Sequence, residues 1–495
     1  MSGLDHRYMD AQRFARLWTT GHIWSWRGGL ACVLIVVVAG SLRFFELGRL
    51  SFWYDEVVTM RLATAAGPGA LLERLFEIDA TRAPLHPLLL QAWIRVFGTS
   101  EAAARSLSVI CGLATIVLIY EIGSIAFDTA TGLWASWLAA FSPLLIVYAR
   151  EARMYGWLVF ATCVCWRMLQ SLREKYSPAR GLAYLVSLTA LVYSHPLGLI
   201  MLGALALAGL IDLEACFGGL TRWLAIHLGA IVLGLPWIGN YLDHPPEFLT
   251  GTLSPRFLLG TPIGFIGGNF LVMIGLVLVM AFGFARRGLV RDQGGHWRIV
   301  PKSWAAYAIL LVWLIVPPVA LYIYSWVAHP VFGPARYTVF VAPAYLILVA
   351  SGLSRLPAPA RYPLALSLTA ISALALTPLV YAPDLKADWR GFSAEIFKSL
   401  VDYPRDSVLV IVASAGQDRN FEVETARYYL PEHCTVQGSE EATSERLERI
   451  DPTDVYFTVG LRQGRPVSSV PARLGPYQLQ EDRRFAGLIV YRGRR

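Results

Sequence analysis

GGLACVLIVVVAGSLRFFELGRLSFWYDE, residues 28–56, decides the fold. It begins with an apolar run of roughly twenty residues, the length that crosses the hydrocarbon core of a bilayer. It ends on an acidic pair, Asp55-Glu56, preceded by Phe52, Trp53 and Tyr54. Adjacent carboxylates beside a membrane are costly to desolvate, and packing gives no reason to keep them there. If the run crosses with its N-terminus inside, the pair stands at the outer surface.

The rest of the chain repeats the apolar theme. Of its 495 residues 55% are hydrophobic and only 16% charged, where soluble domains carry about 25% charged residues. Spans are expected near 28–48, 103–122, 130–148, 155–173, 181–195, 197–214, 222–240, 262–284, 304–326, 338–353 and 362–381. That makes about eleven transmembrane helices by the ~20-residue criterion, an all-α polytopic membrane protein. The 16 Trp and 22 Tyr suit interfacial belts. Cys32, Cys111, Cys163, Cys165 and Cys216 lie in or beside apolar runs and Cys434 stands apart, so no disulfide framework is read. The polar start of the chain is too long for the charged end of a signal peptide, and the run after it is long enough to span. A retained first helix is therefore expected.

Lys and Arg set the orientation. With the N-terminus inside, the inner segments hold Arg7, Arg13, Arg16 and Arg27, then Arg167, Arg173, Lys175 and Arg180, then Arg222. They also hold Arg286, Arg287, Arg291, Arg298 and Lys302, and finally Arg355 and Arg361. The short outer loops hold only Arg150, Arg153, Arg256 and Arg336. An odd number of spans then leaves the C-terminus outside. In a bacterium this is the inner (cell) membrane, with a cytoplasmic N-terminus and an extracytoplasmic C-terminal domain.

Two outer regions are long. Residues 49–102 hold Gly67-Pro68-Gly69, an amphipathic stretch with Leu71, Leu72, Leu75, Phe76 and Ile78, and a second apolar stretch from Pro84 to Phe97. They read as two interfacial helices. At 382 the composition changes to charged sequence with strand-like runs at Val408–Val412, Val455–Val459 and Leu488–Tyr491. Helical patterns occur near Phe392–Leu400 and Glu422–Leu430. The expected organisation is a membrane module over 1–381 and a small α/β domain over 382–495.

The candidate chemistry lies at the outer surface. Asp55 and Glu56 either cap the following helix or supply a general base. A divalent cation held by Asp55 is the further reading, with no ligand set for one evident. In Tyr148-Ala149-Arg150-Glu151-Ala152-Arg153-Met154-Tyr155 the two arginines, three apart, are expected on one helix face. Outer-loop arginines run against the positive-inside bias, and a phosphate is their natural partner. Glu151 or a lipid headgroup is the alternative. Arg336-Tyr337 offers a further cation for a phosphate, or an ordinary arginine at the headgroups. His86 and His195, each followed by Pro, are either structural or substrate-binding. Ala387-Asp388-Trp389-Arg390 either opens a helix or packs the C-terminal domain over the site. No phosphate-binding GxxxxGK[ST] loop and no GxGxxG between a strand and a helix occurs, and the net charge of +8 reflects loop basicity rather than nucleic-acid binding.

At these residues the chain resembles the bacterial polytopic glycosyltransferases of GT-C architecture, the family of the dolichyl-phosphate-mannose protein mannosyltransferase type and of the aminoarabinose transferase of lipid A. The resemblance rests on Trp53-Tyr54-Asp55-Glu56, on Ala83-Pro84-Leu85-His86-Pro87-Leu88-Leu89-Leu90, and most specifically on the 148–155 segment. Ser194-His195-Pro196, Arg336-Tyr337 and Asp388-Trp389-Arg390 follow in the same order. It implies a sugar donor carried on a polyprenyl monophosphate, Asp55 as base with Glu56 beside it, and Arg150, Arg153 and Arg336 with Tyr337 around the donor phosphate. His86, His195 and Tyr155 would line the substrate. His86-Pro87 departs from the aromatic residues that many relatives carry there. The acceptor is a glycan, a lipid or a protein. The rival class is a transporter or flippase, which places ionisable residues and broken helices at the bilayer midplane. Charges gathered at one surface favour the enzyme.

Overall fold

A computed structural model describes residues 25–494, except 79–82, 244–261, 268, 292–296, 329–330, 332–334, 383–384, 400–407, 414–418, 432–433, 443–446, 448–451, 453, 463–464 and 467. The basic residues before Arg27, and Arg256, lie outside the described residues.

Helices dominate. Among the described residues six are long and apolar enough to cross a membrane: Trp26–Phe44, Glu101–Ala126, Leu220–Asp243, Phe270–Gly288, Ser303–Val327 and Ala358–Tyr381. A seventh span arises if the bent pair Thr129–Phe141 and Pro143–Ala149 is one crossing. Helices Met154–Glu174 and Pro178–Ser194 and the shorter apolar Leu197–Ile211 complete the central bundle. Its buried interior is aliphatic and aromatic, with Trp166 stacked on Trp313 at 4.7 Å between centroids. Helices Phe270–Gly288 and Ala342–Leu353 meet backbone to backbone, since a Cβ on Gly283 would lie 2.6 Å from the Gly352 Cα. Such close approach is what small residues allow between helices in lipid.

The 62° bend matters for the site. Pro143 has no N–H to continue the helix and drives Ser142 into an extended conformation, ψ 117°. The carbonyls freed at the break are taken by Arg43, whose guanidinium donates to Ala139 O and Ala140 O at 3.2 and 3.0 Å. The short helix Pro143–Ala149 then delivers residues 150–153 to one face of the bundle.

Residues 49–102 form three helices rather than the expected two: Tyr54–Ala63, Pro68–Ile78 and Leu85–Phe97. The additional one starts at the acidic motif itself. Its run Val57, Met60, Leu62, Ala63 is buried, which a reading focused on the carboxylates overlooked. Asp55 and Glu56 fall in its first turn, where the helix dipole favours negative charge.

The C-terminal part is α/β. Strand Val408–Ala413 is buried throughout and pairs in parallel with both Cys434–Gly438 and Asp454–Arg462, as a doubly covered apolar strand does. Leu488–Arg494 runs antiparallel to Asp454–Arg462, with Phe457 opposite Tyr491, and Tyr477–Phe485 adds beyond it. Alternate residues serve two cores. Val408, Val410 and Val412 meet Trp389, Phe392 and Val423, and Leu409 and Ile411 meet Leu447 and Tyr477. The charged strand Tyr477–Phe485 was not foreseen, because its polar residues give no apolar alternation.

Candidate active site

Glu56 is the best-held side chain at this face. It is 0% exposed, yet its carboxylate is ringed by donors. Arg105, from the first turns of helix Glu101–Ala126, donates through Nε and Nη2 to its two oxygens, each at 2.8 Å. Lys386 Nζ lies 2.8 Å from Oε2, the Ala152 N–H donates to Oε1 at 2.9 Å, and the Trp53 N–H reaches Oε2 at 3.3 Å. Burial opposes the charge, but Arg105 and then Lys386 outweigh it and hold this carboxyl well below the usual range. Arg105 also takes the carbonyls of Leu47, Leu50 and Ser51 at 3.0, 2.7 and 3.0 Å. One carboxylate thus ties together the acidic-motif helix, the loop before it, the 150–153 loop and the linker to the C-terminal part. Glu56 has no exposed surface, and its contacts hold these segments together.

Asp55, one residue earlier, is arranged differently. Its side chain is 22% exposed, and Arg336 Nη1 lies 3.1 Å from Oδ2. Arg336 also donates to the Tyr337 hydroxyl at 3.3 Å. Arg153 approaches from the other side, donating to the Asp55 carbonyl at 3.0 Å and to Thr59 Oγ1 at 2.8 Å. Two guanidinium groups therefore flank the Asp55 turn, one on its carboxylate and one on its backbone.

The expected pairing of Arg150 with Arg153 on one helix face does not occur. The helix stops at Ala149, residues 150–153 are non-helical, and the next helix begins at Met154. Arg150 turns back to the end of the first helix, donating to the carbonyls of Arg43 and Phe45 at 2.7 Å each and of Leu42 at 3.3 Å. It also covers the Tyr381 ring. A helix C-terminus leaves carbonyls unsatisfied and an arginine can take them, and Arg150 caps the first helix in this way.

Aromatic rings line the same region. Tyr155 contacts Tyr148, His195 and Tyr337, with centroids 5.3, 6.0 and 6.5 Å apart. His195 and His86 are 4% and 2% exposed. Burial and the Arg153 charge push both rings down to about 3, with Arg336 adding to the effect at His195, so both are neutral. The site gathers Asp55, Arg153, Arg336, Tyr337, Tyr155, His195 and His86. Glu151, read earlier only as a partner for the arginines, is half-buried. Burial above all pushes its carboxyl up to about 7, with Glu56 and Asp55 adding to the rise against Lys386 and Arg153.

The C-terminal part closes over this face. Asp388 accepts from Ser51 Oγ at 3.2 Å and from the Gly391 N–H at 3.0 Å. Arg390 pairs with Glu101 at 2.8 Å, and Trp389 is buried. The 387–390 motif therefore both opens a helix and docks it. Helix Arg419–Tyr429 lies along the acidic-motif helix, with Phe421 stacked on Tyr54 at 4.1 Å and Glu424 paired with Arg61. Arg105 and Lys386 were missed. Arg105 left a signal, a lone arginine opening an apolar helix. Lys386 left none. Among the described residues no three His, Cys, Asp or Glu side chains come together as a metal site.

Comparison with known proteins agrees with this architecture. Residues 81–239 match the family model of dolichyl-phosphate-mannose-protein mannosyltransferases. The fold matches a crystal structure of ArnT from Cupriavidus metallidurans in the apo state, at TM-score 0.60 and 14% identity over 94% of this chain and 98% of that one. The same protein bound to undecaprenyl phosphate matches at TM-score 0.56 and 16% identity, over 93% and 97%. No curated protein matches by sequence. The chain is thus a multi-pass membrane protein with the GT-C glycosyltransferase fold. The family match covers residues 81–239, about a third of the chain.

Proposed function

We propose that this protein transfers a sugar from a polyprenyl-monophosphate carrier to an acceptor hydroxyl at the extracytoplasmic face of the membrane, with inversion. The observation that carries the reading is the Asp55 carboxylate, partly open and flanked by Arg153 and Arg336. Binding of undecaprenyl phosphate by ArnT, which shares the fold, supports a lipid phosphate as the carrier.

Asp55 accepts the proton of the acceptor hydroxyl as its oxygen attacks the anomeric carbon. The bond from that carbon to the phosphate oxygen breaks, and its electron pair leaves with the polyprenyl phosphate. One displacement at one carbon inverts its configuration. Arg336 and Arg153 stabilise charge gathering on the departing phosphate, the electrostatic contribution that fixed donors supply. Arg336 has a second part. Paired with Asp55 it occupies one carboxylate oxygen, and a donor phosphate that draws the guanidinium away frees that oxygen for the acceptor proton. Deprotonation of the acceptor is thereby tied to occupation of the donor site. No step of this reading is assigned to a divalent cation.

The test is transfer from a polyprenyl-phosphate sugar by purified Asp55→Asn, which keeps shape but cannot take the proton. Turnover should fall about 10²–10⁴-fold with donor binding retained, and near-normal turnover would sink the mechanism. Sidedness is tested separately. A cysteine at the exposed Gln480, in a protein otherwise without cysteine, should react with an impermeant reagent in cells whose inner membrane is intact. Labelling only after lysis of that membrane would reverse the orientation.

A further inference from the structure

His195 sits where helix Pro178–Ser194 ends and helix Leu197–Ile211 begins. Its ring is fixed chemically as well as sterically. The Leu197 N–H donates to Nδ1 at 3.1 Å, so Nδ1 is an acceptor and the proton of the neutral ring belongs on Nε2. That Nε2 is buried and, among the described residues, has no hydrogen-bond partner. A buried N–H left without an acceptor is costly and rare. Its surroundings show what would satisfy it. The ring packs against Tyr155, which in turn contacts Tyr337, the neighbour of Arg336. The charges acting most strongly on His195 are those of Arg153 and Arg336. A donor beside two guanidinium groups calls for an anionic oxygen.

We propose that His195 is a direct ligand of the donor phosphate, giving its Nε2–H to a phosphate oxygen held between Arg153 and Arg336. This rests on the lipid-phosphate reading above and adds a residue with a distinct job. The donor is a phosphodiester of one negative charge, and the product left after transfer is a phosphomonoester of higher charge. A third cation would hold the product more tightly than the donor and slow its release. A neutral imidazole adds direction and one hydrogen bond without adding charge. Burial keeps it neutral, and the charges of Arg153 and Arg336 add to that effect.

The experiment uses polyprenyl monophosphate in detergent as the probe, with the full-length protein. His195→Phe keeps an aromatic ring and removes the N–H, and its affinity for the probe should fall roughly tenfold or more, as loss of a hydrogen bond to a charged group implies. His195→Gln, whose amide can donate from a similar position, should recover part of that loss. In wild-type protein labelled with ¹⁵N-histidine, the His195 Nε2–H resonance should move when polyprenyl monophosphate is added. Inorganic phosphate should move it the same way at higher concentration, and polyprenol without phosphate should leave it in place. Wild-type affinity in His195→Phe overturns the proposal. So does an unmoved resonance, or one that polyprenol moves equally. Equal loss in the Gln and Phe variants means a packing role and overturns it too. If Asp55→Asn is inactive while His195→Phe binds normally, only the histidine assignment falls. An active Asp55→Asn removes the reading beneath it.

Discussion

Asp55 and Glu56 are neighbours in one helical turn and have opposite fates. Glu56 is sealed, with five donors from four segments of chain around it. Asp55 keeps part of its surface open and, among the described residues, its carboxylate has one ion pair, to Arg336. The periodicity of a helix explains the contrast. Successive residues point about 100° apart, so the Glu56 carboxylate faces the protein while that of Asp55 faces Arg336 and stays partly open. A saturated buried carboxylate holds a structure, and an open one has lone pairs left for a proton. The two arginines of the 150–153 loop differ in what they hold: Arg150 is spent on the carbonyls of the first helix, and the buried Arg153 on the Asp55 carbonyl and Thr59.

The strongest way to break this comparison is to exchange the consequences of losing each acid. Asp55→Asn should lower turnover about 10²–10⁴-fold while leaving thermal unfolding in detergent close to wild type. Glu56→Gln should act on folding. It leaves Arg105 and Lys386 buried without their counter-charge, and breaking one side of a buried pair costs about 3–5 kcal/mol. A fall in unfolding temperature and yield measures this. A stable Glu56→Gln protein with dead chemistry would return Glu56 to the active site. Acid supplies a second check with a definite sign. The Glu56 carboxyl is depressed in the folded protein, so its stabilisation is present above the ordinary carboxylate pKa. It should be lost as pH falls below about 4.5 and continue to fall toward its lower folded value.

The arginine comparison is sharpened next. Arg153→Ala should weaken polyprenyl-phosphate binding roughly ten- to hundredfold, the size of a charge-assisted contact. Arg150→Ala should lower stability and leave that affinity nearly unchanged, because its hydrogen bonds end on Leu42, Arg43 and Phe45 carbonyls. Titration of both variants with polyprenyl monophosphate separates them. Equal losses of affinity would remove the distinction drawn from the geometry.

What could be read from the sequence follows from how local each signal is. The apolar runs, the acidic motif and the strands at 408–413, 454–462 and 488–494 are written in consecutive residues. Their periodicity is therefore visible. The helix at Tyr54–Ala63 was hidden because its buried residues sit among charges that drew a chemical reading. The break at 150–153 was hidden because two arginines three apart look the same in a helix and in a loop. What separates them is the end of the first helix, more than a hundred residues away, whose carbonyls claim Arg150. Lys386 lies 330 positions from Glu56, and no local pattern couples them. A charge network is specified by the fold that closes it, so its members become legible only in three dimensions.

The smallest expected effect concerns Glu151, which belongs to neither class. It sits in the loop whose Ala152 N–H holds Glu56, and the Asp55, Glu56, Lys386 and Arg153 charges all act on it. Its carboxyl is raised to about 7, chiefly by burial, so it is neutral in mildly acidic solution and ionised in mildly alkaline solution. The sign for stability follows from the extra proton bound by the folded state. Its contribution is full below the unfolded pKa of about 4.3 and is lost as pH rises through 7. The sign for binding is the same. An ionised Glu151 offsets Arg153 and repels a donor phosphate, while a protonated one can donate to it. Polyprenyl-phosphate affinity in wild-type protein should therefore weaken a few-fold between pH 6 and pH 8, on the order of what one partly screened charge supplies. Glu151→Gln, neutral throughout, should be flat over that range and match the wild-type affinity at its acidic end. The same slope in both proteins would assign the pH dependence to the phosphate or to another group, and would leave Glu151 with no part in donor binding.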